Sequence, residues 1–517
     1  MALETLSTFS HAPYAAGFFF VALSYFIIYP LVVYFKDSKG MRKFENFSTF
    51  SGASNIPFMI LARTGARSTH LVELHKEKGP ILRTGPNALS FSDVRAIKDI
   101  YGHGTPCIKD ESYDLTAGSH FHLADVIDKH DHARKRKVLS SAYALKNLEG
   151  WEHKVADKVE RLFKQLDERC TGPLPKGQMF PAPEDLTVDY RKWTNFFTLD
   201  AIADIGASER LGLLDRGHDR VLAQHKDGST WEQSLLLWSY ENYKLIDKLS
   251  NIIPYYRKMT EASKGWDGIV LQISSNRLKR YNVGEKLDDF FQALMESKNG
   301  EPNNLEWGEI VAEINIMMNA GSVTTAIAVT NVLYQLLKNP KYLQRLREEV
   351  DSVLDTDEVI APYDKVKHLP YLRACLDESL RLFPSTPQGL MRKTPPEGMY
   401  IMGEWVPGNT TVSMSGVVAH RDETIFPDAH KYDPDRWLGE KGKELQPYFL
   451  AFSAGARGCI GRTISYLEQA VLLASVMHRY EFALPRDFEL QREETMNWLL
   501  GEMPVKIWRR QLEGEAN

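Results

Sequence analysis

Hydrophobic and polar positions divide the chain into stretches of different texture. Residues 12–35 are mostly apolar and aromatic, and residues 6–35 contain no Asp, Glu, Lys or Arg. This run exceeds the roughly 20 residues needed to cross a bilayer. It is also longer than the apolar part of a cleaved signal peptide, about 7–15 residues. Residues 1–36 therefore read as an N-terminal membrane anchor. Lys36, Lys39, Arg42 and Lys43 follow the span, and only Glu4 is charged before it. That asymmetry places the following chain on the cytosolic side. Residues 37–60 read as a polar linker, and residues 61–517 as one globular domain.

Within that domain the helical period dominates. Short apolar runs flank Gly85-Pro86 across residues 81–91 and predict a hairpin. Residues 109–128 are mixed and predict a loop. The basic run from His130 to Lys137 opens a helix, whose charges ordinarily mark a solvated face. Residues 150–300 are mostly helical by pattern, with turns at Gly172-Pro173, Pro181-Ala182-Pro183 and Gly300-Glu301-Pro302, and show no catalytic constellation. Residues 306–337 form a long helical pattern ended by Lys338-Asn339-Pro340, long enough at about 1.5 Å per residue to cross a domain. Its apolar middle raises a second membrane span, but Asn315, Asn319, Ser322, Thr324, Thr325 and Asn331 favour a buried helix of a globular domain. Gly321 is expected to leave room beside that helix for a flat ligand or oxygen. Residues 462–480 predict another largely apolar helix. The expected class is mainly α with a small β region.

Composition narrows the chemistry. The 517 residues carry a net charge of −5, which argues against general nucleic-acid binding. Cys107, Cys170, Cys375 and Cys459 are too widely and irregularly spaced for a zinc pattern or a disulfide framework.

The informative stretch is Phe452-Ser453-Ala454-Gly455-Ala456-Arg457-Gly458-Cys459-Ile460-Gly461. A cysteine sits in a loop of small residues just before an apolar helix. Gly455 and Gly458 allow a tight turn and close approach to a flat ligand. Arg457 is expected to set a positive charge beside the thiol, and the helix N-terminus favours thiolate as well. Phe452 is expected to shield the sulfur from water. A single thiolate presented in this way suits the axial position of a haem iron.

This run resembles the cysteine-ligand loop of the cytochrome P-450 family, Phe-x-x-Gly-x-Arg-x-Cys-x-Gly, with Phe452, Gly455, Arg457, Cys459 and Gly461 at its fixed positions. The resemblance extends over roughly residues 60–510. Ala320-Gly321-Ser322-Val323-Thr324-Thr325 resembles the oxygen-binding helix of the family. It implies Thr324 as the hydroxyl that assists protonation, with Ser322 and Thr325 beside it. The family commonly has an acid where this chain has Val323. Glu378 and Arg381, with Arg436 in Pro434-Asp435-Arg436-Trp437, match a structural triad. His132 and Arg136 occupy positions that bond a haem propionate, with histidine in place of the usual tryptophan, and Arg392 matches a further propionate partner. The resemblance implies a substrate-contacting loop at Phe121 and His122, a substrate-facing strand over residues 385–390 with Thr386 and Leu390, and Ala320 near substrate.

The implied cofactor is haem b with Cys459 as its axial thiolate. Electrons would come from NADPH through a separate membrane-bound reductase, with cytochrome b5 as a second donor. The implied place is the endoplasmic reticulum membrane, with the catalytic domain cytosolic. The chain is similar to fungal enzymes of the benzoate-hydroxylase type. This implies oxidation of an aromatic or phenolic secondary metabolite, by hydroxylation or by oxidative phenol coupling. A haem-thiolate isomerase or dehydratase working without O2, and a non-catalytic haem-binding protein, are the alternatives.

Overall fold

The computed structural model describes residues 17, 20, 21, 23–115, 117–143, 149–234 and 254–512. Its largest sheet has six short strands: β1 Glu45–Asn46, β2 Ile81–Gly85, β3 Ala88–Phe91, β4 Ile108–Lys109, β5 Arg392–Lys393 and β6 Thr411–Ser413. Their order is β1-β2-β3-β6-β5-β4. The predicted hairpin is the antiparallel pair of β2 and β3. The sheet joins an early part of the chain to residues 392–413 and buries Leu89, Phe91, Ile97, Ile100 and Val412 on one side.

Of residues 37–60, expected as a polar linker, Glu45–Asn46 belong to this sheet. β1 pairs in parallel with β2, and Met41, Phe44 and Phe47 are buried. Those apolar residues recur every third position among Arg42, Lys43, Glu45 and Asn46, so mean polarity concealed them. Of the expected anchor, residues 1–16, 18, 19 and 22 lie outside the described residues. Its described end is a π-helical turn, Ser24–Ile28, running into α1, Tyr29–Lys36. Tyr25, Ile27, Tyr29, Val32 and Phe35 stand exposed there.

The helices that set the site are α2 Arg67–Lys78, α3 Lys129–Ala142, α4 Tyr190–Ala207, α5 Pro254–Asn282, α6 Trp307–Lys338, α7 Pro370–Leu382 and α8 Arg462–Arg479. α6 is the axis. It starts in a capping box, where the Glu306 and Glu309 side chains each accept the other's backbone N–H, satisfying donors a helix start leaves unpaired. Among the described residues it is the one helix long and apolar enough to cross a membrane, and 67% of its most apolar window is buried inside the protein. It is the core helix its Asn, Ser and Thr residues pointed to.

α4 lies against α6, with the Thr194 and Thr330 hydroxyls 2.9 Å apart. Gly321 serves this packing: a Cβ there would stand 2.7 Å from Ile202 Cδ1 on α4. α8 crosses α6 where the Thr325 and Ser465 hydroxyls pair at 3.0 Å.

Residues 150–300 are mostly helical among those described. They also hold an unforeseen hairpin, Arg220–Gln224 with Thr230–Ser234. The turn carries Asp227-Gly228, with Gly228 at φ 91°. This Asp-Gly turn was a readable hairpin signal, overlooked because the neighbouring pattern is helical.

Candidate active site

The cysteine loop is shaped by its backbone. A 3-10 turn, Gly455–Arg457, is followed by Cys459, whose N–H donates to the Phe452 carbonyl at 2.9 Å. Gly455 has φ 66°, and a Cβ there would run into the Tyr101 carbonyl oxygen, so both conformation and contact require glycine. Cys459 stands just ahead of α8, and the N–H groups of Gly461 and Arg462 are directed at its sulfur. The side chain is reached by solvent, yet burial still dominates its titration and pushes the thiol up. These two facts together describe a thiol on the wall of an internal space.

The charges acting on the sulfur are Arg136 and Arg462, not Arg457. Arg457 turns away and donates to the carbonyls of Val126 at 2.7 Å, Ile127 at 2.8 Å and Asp128 at 3.4 Å. Three carbonyls at the entry to α3 offer a planar guanidinium more hydrogen bonds than a neutral thiol does. Arg462 was missed, although its place at the start of α8 was readable. Phe452 packs on Tyr466, with ring centroids 5.1 Å apart, and lies under the Arg462 guanidinium at 5.6 Å.

Behind the loop sits a buried ionic network. Arg381 grips both oxygens of Glu378 at 2.8 Å, and Arg436 adds a third contact at 3.0 Å. Trp437 Nε1 donates to Glu378 at 2.9 Å, a partner that sequence reasoning missed. Arg381 also donates to the carbonyls of His420, Ala429 and Lys431. His420 Nε2 accepts from the Leu450 N–H at 2.8 Å, which leaves its Nδ1 to donate to the Arg381 carbonyl at 2.9 Å. Burial, reinforced by Arg381, pushes His420 down to about 3, so it stays neutral. The network thus reaches the cysteine loop through one imidazole.

On the other side lies α6. Ala320 is exposed and Thr324 half-buried, although Met317, Met318, Ser322 and Thr325 around them are buried. An accessible face in the middle of a core helix again borders an internal space. The Thr324 hydroxyl donates to the Ala320 carbonyl at 2.7 Å, and its oxygen keeps lone pairs that can accept. Ser322 faces away and donates to the Met318 carbonyl at 2.7 Å. Thr325 turns toward α8, where it also meets Glu468. Glu468 Oε1 has no hydrogen-bond partner, and burial pushes its carboxyl up to about 8.

Residues 385–390, expected as a strand, are irregular. Pro384 and Pro387 remove ladder donors, and side chains hold the segment instead. Ser385 donates to the Thr324 carbonyl at 2.7 Å, which brings the segment to the accessible face of α6. Thr386 bonds Asn497 at 2.8 Å, and the Leu390 carbonyl accepts from Tyr101 at 2.8 Å. Phe121 is exposed. His122 faces Asp125 at 3.3 Å.

The fit to haem can be tested on charge. Arg136 donates to the Gly458 carbonyl at 2.8 Å, and Arg392 to the Tyr113 hydroxyl at 3.3 Å. Among the described residues, neither these two arginines nor Arg457 has a carboxylate partner. Burial, then Arg457, Lys109, Arg136 and Arg392, pushes His132 down to about 3. Burial, then Arg457 and Arg392, pushes Lys109 down to about 6. Arg136, Arg392 and Arg457, grouped with Lys109 and His132, form a cationic cluster without carboxylate partners among the described residues, which suits a flat ligand carrying two carboxylates, as haem b does. His132, Arg136 and Arg392, which the resemblance implies as propionate partners, all belong to this cluster.

A family-wide sequence profile, Cytochrome P450, matches residues 52–508. The chain is 28% identical over 453 residues to the Cytochrome P450 monooxygenase atr2 of Stereocaulon alpinum, covering 85% of each chain. It is 26% identical over 462 residues to the Tryprostatin B 6-hydroxylase of Aspergillus fumigatus, covering 87% of this chain and 77% of that one. With the Benzoate 4-monooxygenase bphA of Aspergillus niger it shares 25% identity over 507 residues, 93% of this chain and 95% of the other.

Proposed function

From a chain that belongs to the cytochrome P450 family, we propose a monooxygenase that hydroxylates an aromatic small molecule of fungal secondary metabolism. The enzyme class comes with the family. So do the haem b cofactor with its cysteine thiolate and the NADPH electrons from a reductase. Haem b held through a thiolate supplies reductive activation of O2.

One observation carries the assignment of residues. An accessible thiol, Cys459, is met by the N–H groups that start α8, and a second accessible surface at Ala320 and Thr324 interrupts the buried α6. Cys459 is the ligand. Arg136 and Arg462 favour its thiolate, the Glu378 network fixes its loop, and Thr324 offers an acceptor on the oxygen side. Phe121, Ala320, Val323, Thr386 and Leu390 give substrate a largely apolar surface, which suits an aromatic ring. The benzoate in one relative's name is an aromatic acid of that kind.

Val323 favours a second reading. Without a carboxyl at that position, a phenolic substrate can bring its own proton, and oxidative coupling or ring closure replaces hydroxylation. Product mass separates the two: one labelled oxygen atom from O2 marks hydroxylation, and loss of two hydrogens without oxygen marks coupling. Substrate-dependent NADPH consumption separates both from an isomerase, dehydratase or non-catalytic haem protein.

We also propose that residues 1–36 anchor the enzyme in the endoplasmic reticulum membrane, with residues 61–517 as the cytosolic catalytic domain and cytochrome b5 as a second electron donor. The exposed apolar side chains of α1 support this. Removing residues 1–36 should release protein from the membrane fraction without loss of haem. An unchanged membrane fraction would overturn the anchor.

A further inference from the structure

The segment 117–128 is held by the side chains of Lys109, Arg457 and Glu313, and its two ends are held differently. Lys109 donates to the carbonyls of Leu123 at 3.0 Å and Ala124 at 2.7 Å. Arg457 takes the carbonyls of Val126, Ile127 and Asp128, where the chain enters α3. The C-terminal end is thus tied to the cysteine loop. The N-terminal end is looser. Gly118, Ser119 and Phe121 are exposed, and nothing lies within 4 Å of a Cβ placed on Gly118.

That looser end rests on the start of α6. A Cβ on Gly308 would run into the His120 ring, so this glycine makes the place where His120 sits. Two contacts to carboxylates then follow: His120 Nε2 lies 3.6 Å from Glu306, and Glu313 takes the Leu123 N–H at 3.0 and 3.3 Å. Glu313 is fully buried and also receives Lys135 at 3.4 Å, while Lys135 bridges to Glu309 at 2.8 Å. Glu313, Met317, Ala320 and Thr324 follow at intervals of four, three and four and share one face of α6. The Glu313 contact therefore closes one end of the face that carries Ala320 and Thr324.

We propose that Glu313 is a positioning residue of the reaction: it holds residues 117–123 against α6, and release of the Leu123 N–H is the step that admits substrate to the face of Ala320 and Thr324. This rests on the monooxygenase reading above. The energetics favour opening at this point. When Leu123 leaves, Glu313 keeps Lys135, so no buried carboxylate is left unpaired, the expensive outcome. Release frees the Leu123 N–H and uncovers the buried Leu123 side chain, while Lys109, which also holds the Leu123 carbonyl, keeps the Ala124 carbonyl as a partner. At the other end, release would free the Arg457 guanidinium and several carbonyls together.

The test uses the full haem-loaded chain and 4-phenylimidazole, an iron-binding probe followed by the shift of the haem absorption band. Glu313→Leu alone would orphan Lys135, so it is made together with Lys135→Met. We expect this double variant to keep the red-shifted ferrous carbonyl band. Amide exchange of peptides covering residues 117–128 and the association rate of the probe should both rise about ten-fold, as expected from losing a hydrogen bond to a charged group. Glu313→Gln with Lys135→Met keeps an acceptor for Leu123 and should return both readouts toward native. Gly308→Ala, which crowds His120 without altering charge, should raise both in the same direction. Loss of the carbonyl band in the double variant would overturn the proposal, as would a probe rate within about two-fold of native. Absence of that band in the native protein would instead overturn the monooxygenase reading.

Discussion

Two buried polar regions flank the site, and they are finished to different degrees. On the cysteine side, Glu378 accepts from Arg381, Arg436, Trp437 and the Asp433 N–H, and Arg381 goes on to three carbonyls. On the side of segment 117–128, Lys109, His122, Asp125 and Glu313 are also buried or nearly so, but His122 Nδ1 lacks a hydrogen-bond partner and Asp125 Oδ2 meets only His122 Nε2, at 3.3 Å and outside hydrogen-bond geometry. A satisfied network fixes one arrangement, whereas an unpaired buried polar group carries a cost that the closed arrangement does not recover and that opening toward water relieves. The iron ligand needs the first property, and a segment that admits substrate needs the second.

The sharpest break falls on the thiol itself. Cys459→Ala should abolish the red-shifted ferrous carbonyl band entirely, and Cys459→His should shift it to the shorter wavelength of a nitrogen ligand. Persistence of the native band in either variant would place the ligand elsewhere. Next in size, Glu378→Gln should destabilise the fold by about 3–5 kcal/mol, since it leaves two buried arginines without their charge partner. Thermal unfolding and haem content both read this. A variant that folds and loads haem normally would show that the network is not what fixes the cysteine loop.

The two regions also differed in how far they could be read from sequence. Cys459 was legible from its glycine-framed loop, and Glu378, Arg381 and Arg436 only through the resemblance to family motifs, a Glu-x-x-Arg pair and a Pro-x-Arg-Trp turn, since by spacing alone the pair reads as an ordinary exposed one. Glu313, Lys109 and Lys135 were not legible. Their partners lie between 14 and 190 residues away, and each looks like an ordinary surface charge within its own segment. The reach of Arg457 was misjudged for the same reason, since proximity in sequence to Cys459 said nothing about the carbonyls across the fold. Residues 385–390 misled through their extended composition, although Pro384 and Pro387 already argued against a paired strand.

Titration sharpens the comparison on the unfinished side. Burial pushes the Asp125 carboxyl up to about 7, against the pull of the His122 N–H and Lys109. Its unfolded value is about 3.9, so its stability contribution is full below that and is lost as pH rises toward 7. Lys109 works in the opposite sense. Burial, then Arg457 and Arg392, pushes it down to about 6, so its contribution is present above its unfolded value, about 10.4, and is lost as pH falls through 6. Asp125→Asn keeps Oδ1 for the His122 N–H. It should therefore gain on the native protein as pH rises from 4 to 7, by at most about 1.4 kcal/mol per pH unit. Melting temperatures of both proteins across that range measure it. Parallel curves would mean that Asp125 is ionised throughout and its side of the site is as settled as the other.

The smallest effect is expected where the regions join. Arg457 stands two residues before Cys459, yet its guanidinium is spent on Val126, Ile127 and Asp128. Arg457→Lys keeps the charge and removes the fork, so one ammonium must serve carbonyls that a planar group reached from two nitrogens. The loss should be about 1 kcal/mol, one net hydrogen bond. Its location matters more than its size. Amide exchange should rise in peptides covering residues 124–128 and stay unchanged across residues 450–461, because the cysteine loop is held from behind by His420 on Leu450. Equal loosening of both stretches would mean that the two regions form a single unit, and that the division between a fixed side and a side that opens is wrong.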